Sequence, residues 1–426
     1  MNNFPDFQDG DVRVIISGSR QYQLHSAILK SNSPVFAELL DDENAARLSS
    51  KAIKRGVRTR FRIIMVENTS NEHIISHTLQ TIPLDENGRP ITPQAVPLDL
   101  ENGRVIPTDI LAYDSVLSAL YNVPIDLGDA MTNDMADIVS KVSPLVDVAE
   151  YLGCVHVVTK PIEATLLATG QHMHCAIATA PLGWLHLTTR IRSVVLFREA
   201  LIHAAGQYNT DHIKSGIHTL HPKVAALLHK KGQALRRAVQ MAEKQMLSYY
   251  PNHLHREKTV GRADKDSIGR ASYANDVMSW IGLVVLRHFL AQTLADDATH
   301  NAPDMGKELI DAIIKGGDAY LDRGMLAQFH AFFPMSQKGS AVLENKIAEM
   351  KEFIKKFVRQ LAVNNSTLDT KTFPVSHLTC TNVAANEYPW VEHDEAETVA
   401  EDSDDGDEFP ASRHVPGYEG DGEESF

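Results

Sequence analysis

Strand-forming sequence is confined to the first 66 residues of this 426-residue chain. Residues 12–17 and 60–66 are dense in β-branched side chains, and residues 21–24 follow a Gly-Ser turn that would pair them with the first run as a hairpin. From Tyr113 onward, apolar residues recur with helical spacing instead. This segregation predicts an α+β fold, with a small sheet flanked by helices at the N-terminus and an all-α region after it.

The helical region is predicted to contain several long helices separated by proline and glycine. The predicted helices cover residues 113–121, 137–152, 161–167, 185–205, 222–247, 273–294, 307–314 and 341–361. Residues 67–110 are rich in Pro, Asn, Asp and Gly, and they predict an inserted loop with at most a minor hairpin. The predicted domains are therefore residues 9–168, residues 169–391 and a tail.

The net charge of −14 comes almost wholly from the C-terminal tail. Residues 392–426 hold 14 of the 55 acidic residues and one of the 41 basic residues, Arg413. The remaining 391 residues are nearly neutral, which argues against a nucleic-acid-binding body. The tail also lacks apolar periodicity, so it is predicted to be a disordered acidic segment.

The cysteines and the apolar runs point to an intracellular protein. The three cysteines, Cys154, Cys175 and Cys380, are odd in number and have no disulfide spacing, which fits a reducing compartment. The N-terminus has neither the basic start nor the apolar core of a signal peptide. The longest apolar run begins at Trp280 and is interrupted by Arg287, which predicts no membrane span. We expect a soluble protein in the cytoplasm, the nucleus or both.

Enzymatic and metal chemistry find little support in the sequence. It contains no nucleophile elbow, no phosphate-binding Gly-rich loop and no dinucleotide fingerprint. The best metal-like cluster is His172, His174 and Cys175, but a helix would turn the two histidines to different sides. A structural hydrogen-bonding role is likewise favoured over catalysis for Asp11 and His25. We predict no enzyme, no cofactor and no metal.

Two further patterns each allow two interpretations. A seam of six apolar residues either packs on the helical region, which is favoured, or pairs with another chain; it consists of Leu343, Ile347, Met350, Ile354, Phe357 and Leu361. A run of six bases is interpreted first as a solvated face, with phosphate binding, nuclear import or contact with the acidic tail as alternatives; it consists of Lys51, Lys54, Arg55, Arg58, Arg60 and Arg62.

Several N-terminal motifs occur in the order found in one known family. Asp11 precedes the first strand, His25 opens the first helix, and Ser33 with Phe36 begins the next helix. A later helix ends in Tyr121. Residues 9–168 therefore resemble a BTB/POZ domain with an insertion at about 67–110. The helical region is similar to the C-terminal extension of fungal BTB proteins.

The resemblance implies a binding function rather than a reaction. It implies a protein-interaction scaffold or adaptor, such as a substrate adaptor for a cullin-type ubiquitin ligase. The partner-contact residues that it implies are Phe36, Leu40, Asp42, Tyr113 and Tyr121. Homo-oligomer formation stays open.

The alternative function is a nuclear transcriptional cofactor that recruits protein partners through the acidic tail. Three aromatic residues in that tail, Phe409, Tyr418 and Phe426, are candidates for partner recruitment. Neither interpretation includes nucleic acid or a membrane as a partner.

Overall fold

A computed structural model describes residues 4–68, 75–91, 106–128, 135–254 and 268–391. The chain divides into an N-terminal unit, Met1–Phe197, and a C-terminal unit, Arg198–Phe426. Each unit is described by itself below. The sequence-based domain limits at residues 168 and 169 stay predictions, and the predicted tail, residues 392–426, lies outside the described residues.

The N-terminal unit contains a four-stranded mixed sheet. Its strands are β1 (Val12–Ile15), β2 (Gln21–Leu24), β3 (Phe61–Glu67) and β4 (His77–Ile82), in the order β2-β1-β3-β4. Strand β1 pairs antiparallel with β2 and parallel with β3, and β3 pairs antiparallel with β4. The strands predicted at residues 12–17 and 60–66 are confirmed as β1 and β3, the hairpin of β1 with β2 is confirmed, and so is the α+β class.

Strand β4 corrects the prediction of a loop over residues 67–110. It pairs with β3 along six residues, from Arg62 opposite Ile82 to Glu67 opposite His77. His77 and Leu79 are buried on one face of the strand, and Ile82 is buried on the other face with Ile15 and Ile64. The polar residues before it and the prolines and glycine after it hid a six-residue segment too short to stand out by composition. Residues 69–74 and 92–105 of the predicted loop lie outside the described residues.

Helices surround this sheet and complete the N-terminal unit. They are α1 (Ser26–Asn32), α2 (Pro34–Leu39), α3 (Ser50–Lys54), α4 (Thr108–Leu120), α5 (Met135–Tyr151), α6 (Val155–Ala168), α7 (Gln171–Thr179), α8 (Pro181–Ile191) and the start of α9 (Val194–Gly206). The predicted helices at 113–121, 137–152 and 161–167 are confirmed as parts of α4, α5 and α6. Helix α7 was not predicted.

The predicted helix over residues 185–205 is in fact two helices. Arg192 has a left-handed backbone with φ of 52°, which ends α8. The Ser193 hydroxyl then accepts the backbone N–H of Leu196 at 3.3 Å and donates to the buried carboxylate of Glu163 at 2.7 Å. Apolar spacing continues through the break, so the sequence pattern did not reveal it.

The long secondary-structure elements described for the C-terminal unit are all helices. After the end of α9 it contains α10 (Asp211–Gly216), α11 (Pro222–Ser248), α12 (Tyr273–Ala295), α13 (Lys307–Lys315), α14 (Arg323–Phe332) and α15 (Gln337–Val358). Helices α11, α12, α13 and α15 confirm the predictions at 222–247, 273–294, 307–314 and 341–361, although α15 begins four residues earlier than predicted. Helices α10 and α14 were not predicted.

The six-residue apolar seam packs inside the C-terminal unit. Leu343, Ile347, Met350 and Ile354 of α15 are buried, and α15 contacts α11, α12 and α13. Phe357 is partly buried against the same core. The favoured interpretation, packing on the helices of the same chain, is confirmed.

Helix α12 is longer and more apolar than the membrane prediction assumed. Its 23 residues include a window with a mean hydropathy of 1.4, so its length and composition would allow it to cross a membrane. One side carries Leu283, Leu286 and Leu290 into the core of the C-terminal unit. Only 28% of that window is buried, so many of its other apolar residues are partly or fully exposed. That no membrane is a partner stays a prediction.

Candidate protein-interaction surface

The outer side of α12 presents an exposed apolar stripe. We call Tyr273, Val277, Trp280 and Val284 the α12 stripe; their steps of four, three and four residues put them on one side of a helix. Their exposed fractions are 39%, 38%, 48% and 51%. Over its three turns the stripe is about 17 Å long. Such an array is larger than the scattered single apolar residues of an ordinary protein surface.

Aromatic and basic groups border the stripe at its C-terminal half. The Trp280 ring meets the Tyr250 ring edge to face, with 5.8 Å between the ring centroids. The Arg287 guanidinium lies 5.8 Å from the Tyr250 ring and donates a hydrogen bond to the Tyr249 carbonyl oxygen at 2.8 Å. These contacts hold Trp280 in place while leaving about half of it exposed. An ordered, partly exposed tryptophan is a frequent anchor in protein interfaces.

The opposite side of α12 is held close to α15 by a glycine. A Cβ atom on Gly282 would lie 3.3 Å from Ile347 and 3.6 Å from Leu343, both seam residues of α15. The missing side chain therefore permits the close approach of the two helices. This packing fixes which side of α12 faces outward and so positions the stripe.

A buried lysine ties α15 to the connection between α13 and α14. The Lys351 ammonium donates to the backbone carbonyl oxygens of Gly317, Tyr320 and Leu321 at 2.8, 2.6 and 2.9 Å. It also lies 4.7 Å from the Tyr320 ring centroid. Burial lowers the pKa of Lys351, and the negative charges of Asp318 and Asp322 oppose that shift. The lysine acts as a structural anchor rather than as a surface charge.

Helix α14 ends in a second exposed apolar group. Phe332 and Phe333 are 82% and 61% exposed, and the Phe333 ring packs against Phe329 at a centroid distance of 5.1 Å. Pro334 follows and ends the helix. The α12 stripe and this pair both lie between residues 268 and 334 of the C-terminal unit.

The five predicted contact residues lie elsewhere, in the N-terminal unit. Phe36, Leu40 and Tyr113 are fully buried there, and the Tyr113 hydroxyl donates to the His77 carbonyl oxygen at 2.9 Å. Burial raises the pKa of Tyr121 to about 12, and its hydroxyl accepts the backbone N–H of His25 at 2.8 Å. Asp42 is exposed in a short 3₁₀ helix. Whether any of the five contacts a partner stays a prediction.

Asp11 and His25 have the structural roles that the sequence predicted. The Asp11 carboxylate accepts the backbone N–H and the hydroxyl of Ser26 at 2.7 and 2.6 Å, at the start of α1. His25 lies against Tyr121 through its backbone and its ring. Each residue therefore connects β-sheet and helix segments of the N-terminal unit.

The basic run and the metal-like cluster also have definite places. Lys51, Lys54, Arg55, Arg58 and Arg60 are exposed, in agreement with a solvated face. Only their neighbour Arg62, on β3, is partly buried.

In α7, His174 is buried, Cys175 is partly exposed and His172 is exposed. Among the described residues, no three His, Cys, Asp or Glu side chains are grouped as metal ligands would be. The absence of a metal stays a prediction.

A buried chain of ionisable groups lies in the C-terminal unit. His203 Nδ1 is 2.9 Å from His377 Nε2, and His203 Nε2 is 3.3 Å from the Glu199 carboxylate. Glu199 also accepts the backbone N–H groups of Thr367 and Leu368, with a shortest distance of 2.8 Å to Thr367. Burial lowers the pKa of His377 to about 3, with smaller contributions from His203 and Lys307. This chain fastens residues 367–377 to α9.

Residues 251–360 match the family model described as the fungal FF domain. The match contains α12 to α15, and thus both exposed apolar groups. An FF domain is a protein–protein interaction module, often present in transcription or splicing factors. No curated protein matches the chain, and no solved structure matches it either.

The match overturns the BTB/POZ resemblance. The family model that fits lies at residues 251–360, and no BTB family model matches residues 9–168. The quoted motifs describe a strand hairpin followed by two short helices, and unrelated folds share such local patterns. The adaptor role for a cullin-type ligase rested on that resemblance and has no support. The coarser prediction, binding to protein partners, is supported by the FF match.

Sequence reasoning missed the α12 stripe, although a signal was present. The interpretation of residues 273–294 stopped at their helical spacing and did not ask how much apolar surface one helix side can bury. Apolar residues on the side of a helix away from the core stay exposed unless another element covers them. Within the described chain, neighbours cover one side of α12.

Proposed function

We propose that this protein is a non-enzymatic interaction scaffold that acts in the nucleus as a transcriptional cofactor. The FF match supports it, because FF domains bind proteins and FF proteins are typically nuclear. The acidic tail supports the proposal as well, because its composition suits the recruitment of basic partners. The absence of catalysis stays part of the proposal.

The observation that carries the proposal is the exposed α12 stripe inside the matched region. Its 4-3-4 spacing suits a partner helix whose apolar residues recur at the same steps. Within the stripe all four side chains are uncharged, so the partner helix should offer aliphatic or aromatic residues there. We propose an amphipathic helix of a transcription or splicing protein as the occupant.

The test uses the full chain, tagged and recovered from nuclear and cytoplasmic extracts of its native cells. We expect nuclear recovery with a defined set of transcription or splicing proteins. The double substitution Val277→Glu and Val284→Glu should lower the affinity for a recovered partner helix at least about ten-fold, because it puts two carboxylates into an apolar contact. Titration calorimetry with the synthetic helix measures that change.

A matched control keeps the number of charges equal. Val194 and Val195 are 46% and 47% exposed at the start of α9, outside the matched region. The double substitution Val194→Glu and Val195→Glu should leave the affinity unchanged. Equal loss in both double variants, or no loss in either, would contradict a role for the α12 stripe.

A further inference from the structure

Helix α11 carries a one-sided concentration of positive charge. It contains six Lys and Arg residues and a single carboxylate, Glu243. Glu243 is buried and accepts the backbone N–H of His300 at 2.6 Å, so it does not lie among the exposed bases. Four exposed bases recur at seven-residue steps, which returns to nearly the same side of a helix. This basic face of α11 consists of Lys223, Lys230, Arg237 and Lys244.

A groove of about 450 Å³ lies beside this basic face. Lys214, His229 and Arg236 contribute its basic groups, and Tyr208 contributes an aromatic ring whose hydroxyl is 2.9 Å from His229 Nδ1. The described residues that line the groove include no carboxylate. The basic face and the groove together form a cationic surface that suits an extended acidic peptide.

A residue near the end of the described chain contacts α11. The Glu387 carboxylate lies 2.7 Å from the Lys231 ammonium and 3.5 Å from that of Lys230. The chain of residues 392–426 therefore starts five residues after a carboxylate that is already paired with α11. Six of its 14 acidic residues fall between positions 401 and 408.

The distances favour contact within one molecule. The ten residue steps from Val391 to Glu401 correspond to about 17 Å for a linker that follows random-coil statistics. The stretch of α11 from Lys231 to Lys244 is about 20 Å long. A tether of this length gives an effective concentration of the order of millimolar, which separate acidic partners rarely reach.

We propose that residues 401–408 dock on the basic face and groove of α11 in the same molecule. This inference goes beyond the proposed function, because it concerns α11 and would hold even if the α12 stripe bound nothing. Docking neutralises the basic face and withholds the acidic segment from other proteins. A stronger polyanion or polycation would release it by competition.

The experiment is carbodiimide crosslinking of the full chain, because this reagent joins a lysine amine directly to a nearby carboxylate. Mass spectrometry should find residues 401–408 joined to Lys230 and Lys244. The double substitution Arg236→Glu and Arg237→Glu should lower these crosslinks at least about five-fold. Raising the salt from about 50 to about 500 mM should lower them as well, because salt screens exposed charges.

Several outcomes would overturn the proposal. The control, Lys54→Glu with Arg55→Glu, reverses two exposed bases of the N-terminal unit, and an equal loss there would indicate a general charge effect. Crosslinks between heavy-isotope and light-isotope chains would place the segment on a second copy. If an equimolar DNA duplex added at about 150 mM salt abolishes the crosslinks, the basic face is a nucleic-acid surface instead. Thermal unfolding of both variants at the same temperature as the unmodified chain shows that each is folded.

Discussion

Lys351 shows how one side chain decides the geometry of the matched region. Its sequence position, beside the seam residue Met350, is that of an ordinary solvated lysine on α15. In the structure it instead donates to three backbone carbonyl groups, those of Gly317, Tyr320 and Leu321. A buried cation with three acceptors is stabilising because each acceptor would otherwise lose its hydrogen bond to water.

We expect Lys351→Met to destabilise the C-terminal unit by about 3 kcal/mol, because methionine keeps the volume and leaves three carbonyl groups without a donor. Chemical denaturation followed by circular dichroism measures the loss. The control is Lys356→Met, which removes an exposed lysine of the same helix and should change the free energy of unfolding by less than about 0.5 kcal/mol. Equal effects of the two substitutions would show that Lys351 is not an anchor.

His377 is a second residue whose role follows from burial. Its folded pKa of about 3 lies below the ordinary value of 6.5, so the unfolded chain takes up a proton first as the pH falls. The contribution of His377 to stability is therefore complete above pH 6.5 and decreases as the pH falls toward 3. Between pH 6.5 and 5 this decrease amounts to at most about 2 kcal/mol.

We expect His377→Gln to flatten this pH dependence, because an amide can still donate toward His203 but does not titrate. Denaturant titrations at pH 6.5 and pH 5 give the two free energies of unfolding for each protein. Ionisable groups distant from this site are the same in both proteins, so the difference between the two slopes reports the substitution of His377. An unchanged slope in the variant would contradict the assignment of the effect to His377.

At the scale of elements, the contact of α12 with α15 is set by Gly282. A helix with apolar residues on two opposite sides does not by itself specify which side packs inward, so its neighbours decide. The missing side chain at Gly282 favours one side for the close contact with Leu343 and Ile347. The α12 stripe is the consequence on the other side.

We expect Gly282→Leu to cost about 2 kcal/mol of stability, because the leucine must displace seam residues that already fill the contact. Ala291→Leu is the control, since it adds the same side chain at an exposed position of α12. Thermal unfolding compares the two. A Gly282→Leu protein as stable as the control would show that the two helices can separate without loss.

Two further elements show where sequence patterns are insufficient. The Arg192 and Ser193 break between α8 and α9 depends on a hydrogen bond from Ser193 to Glu163, which lies 30 positions earlier. Strand β4 depends on pairing with β3, whose partner edge no local pattern reveals. Both features come from contacts between segments that are distant in sequence.

At the scale of the whole molecule, the chain combines an α+β unit with a helical unit that contains the match to the FF-domain model. The family match covers residues 251–360 of the C-terminal unit. The N-terminal unit, in which the contact residues Phe36 and Tyr113 were predicted, buries both side chains. The matched region is thus a part of the chain in which the sequence analysis offered one contact, the seam of α15, and that seam is buried.

The sequence by itself determined the α+β class, the long helices α11, α12, α13 and α15, and the burial of the α15 seam. These features follow from periodicity and from local breakers, which act over a few residues. The tertiary structure decided which side of α12 stays exposed, why Lys351 is buried and how Glu199, His203 and His377 meet. Those outcomes depend on contacts between distant segments, and the energy of such contacts has no signature in local sequence.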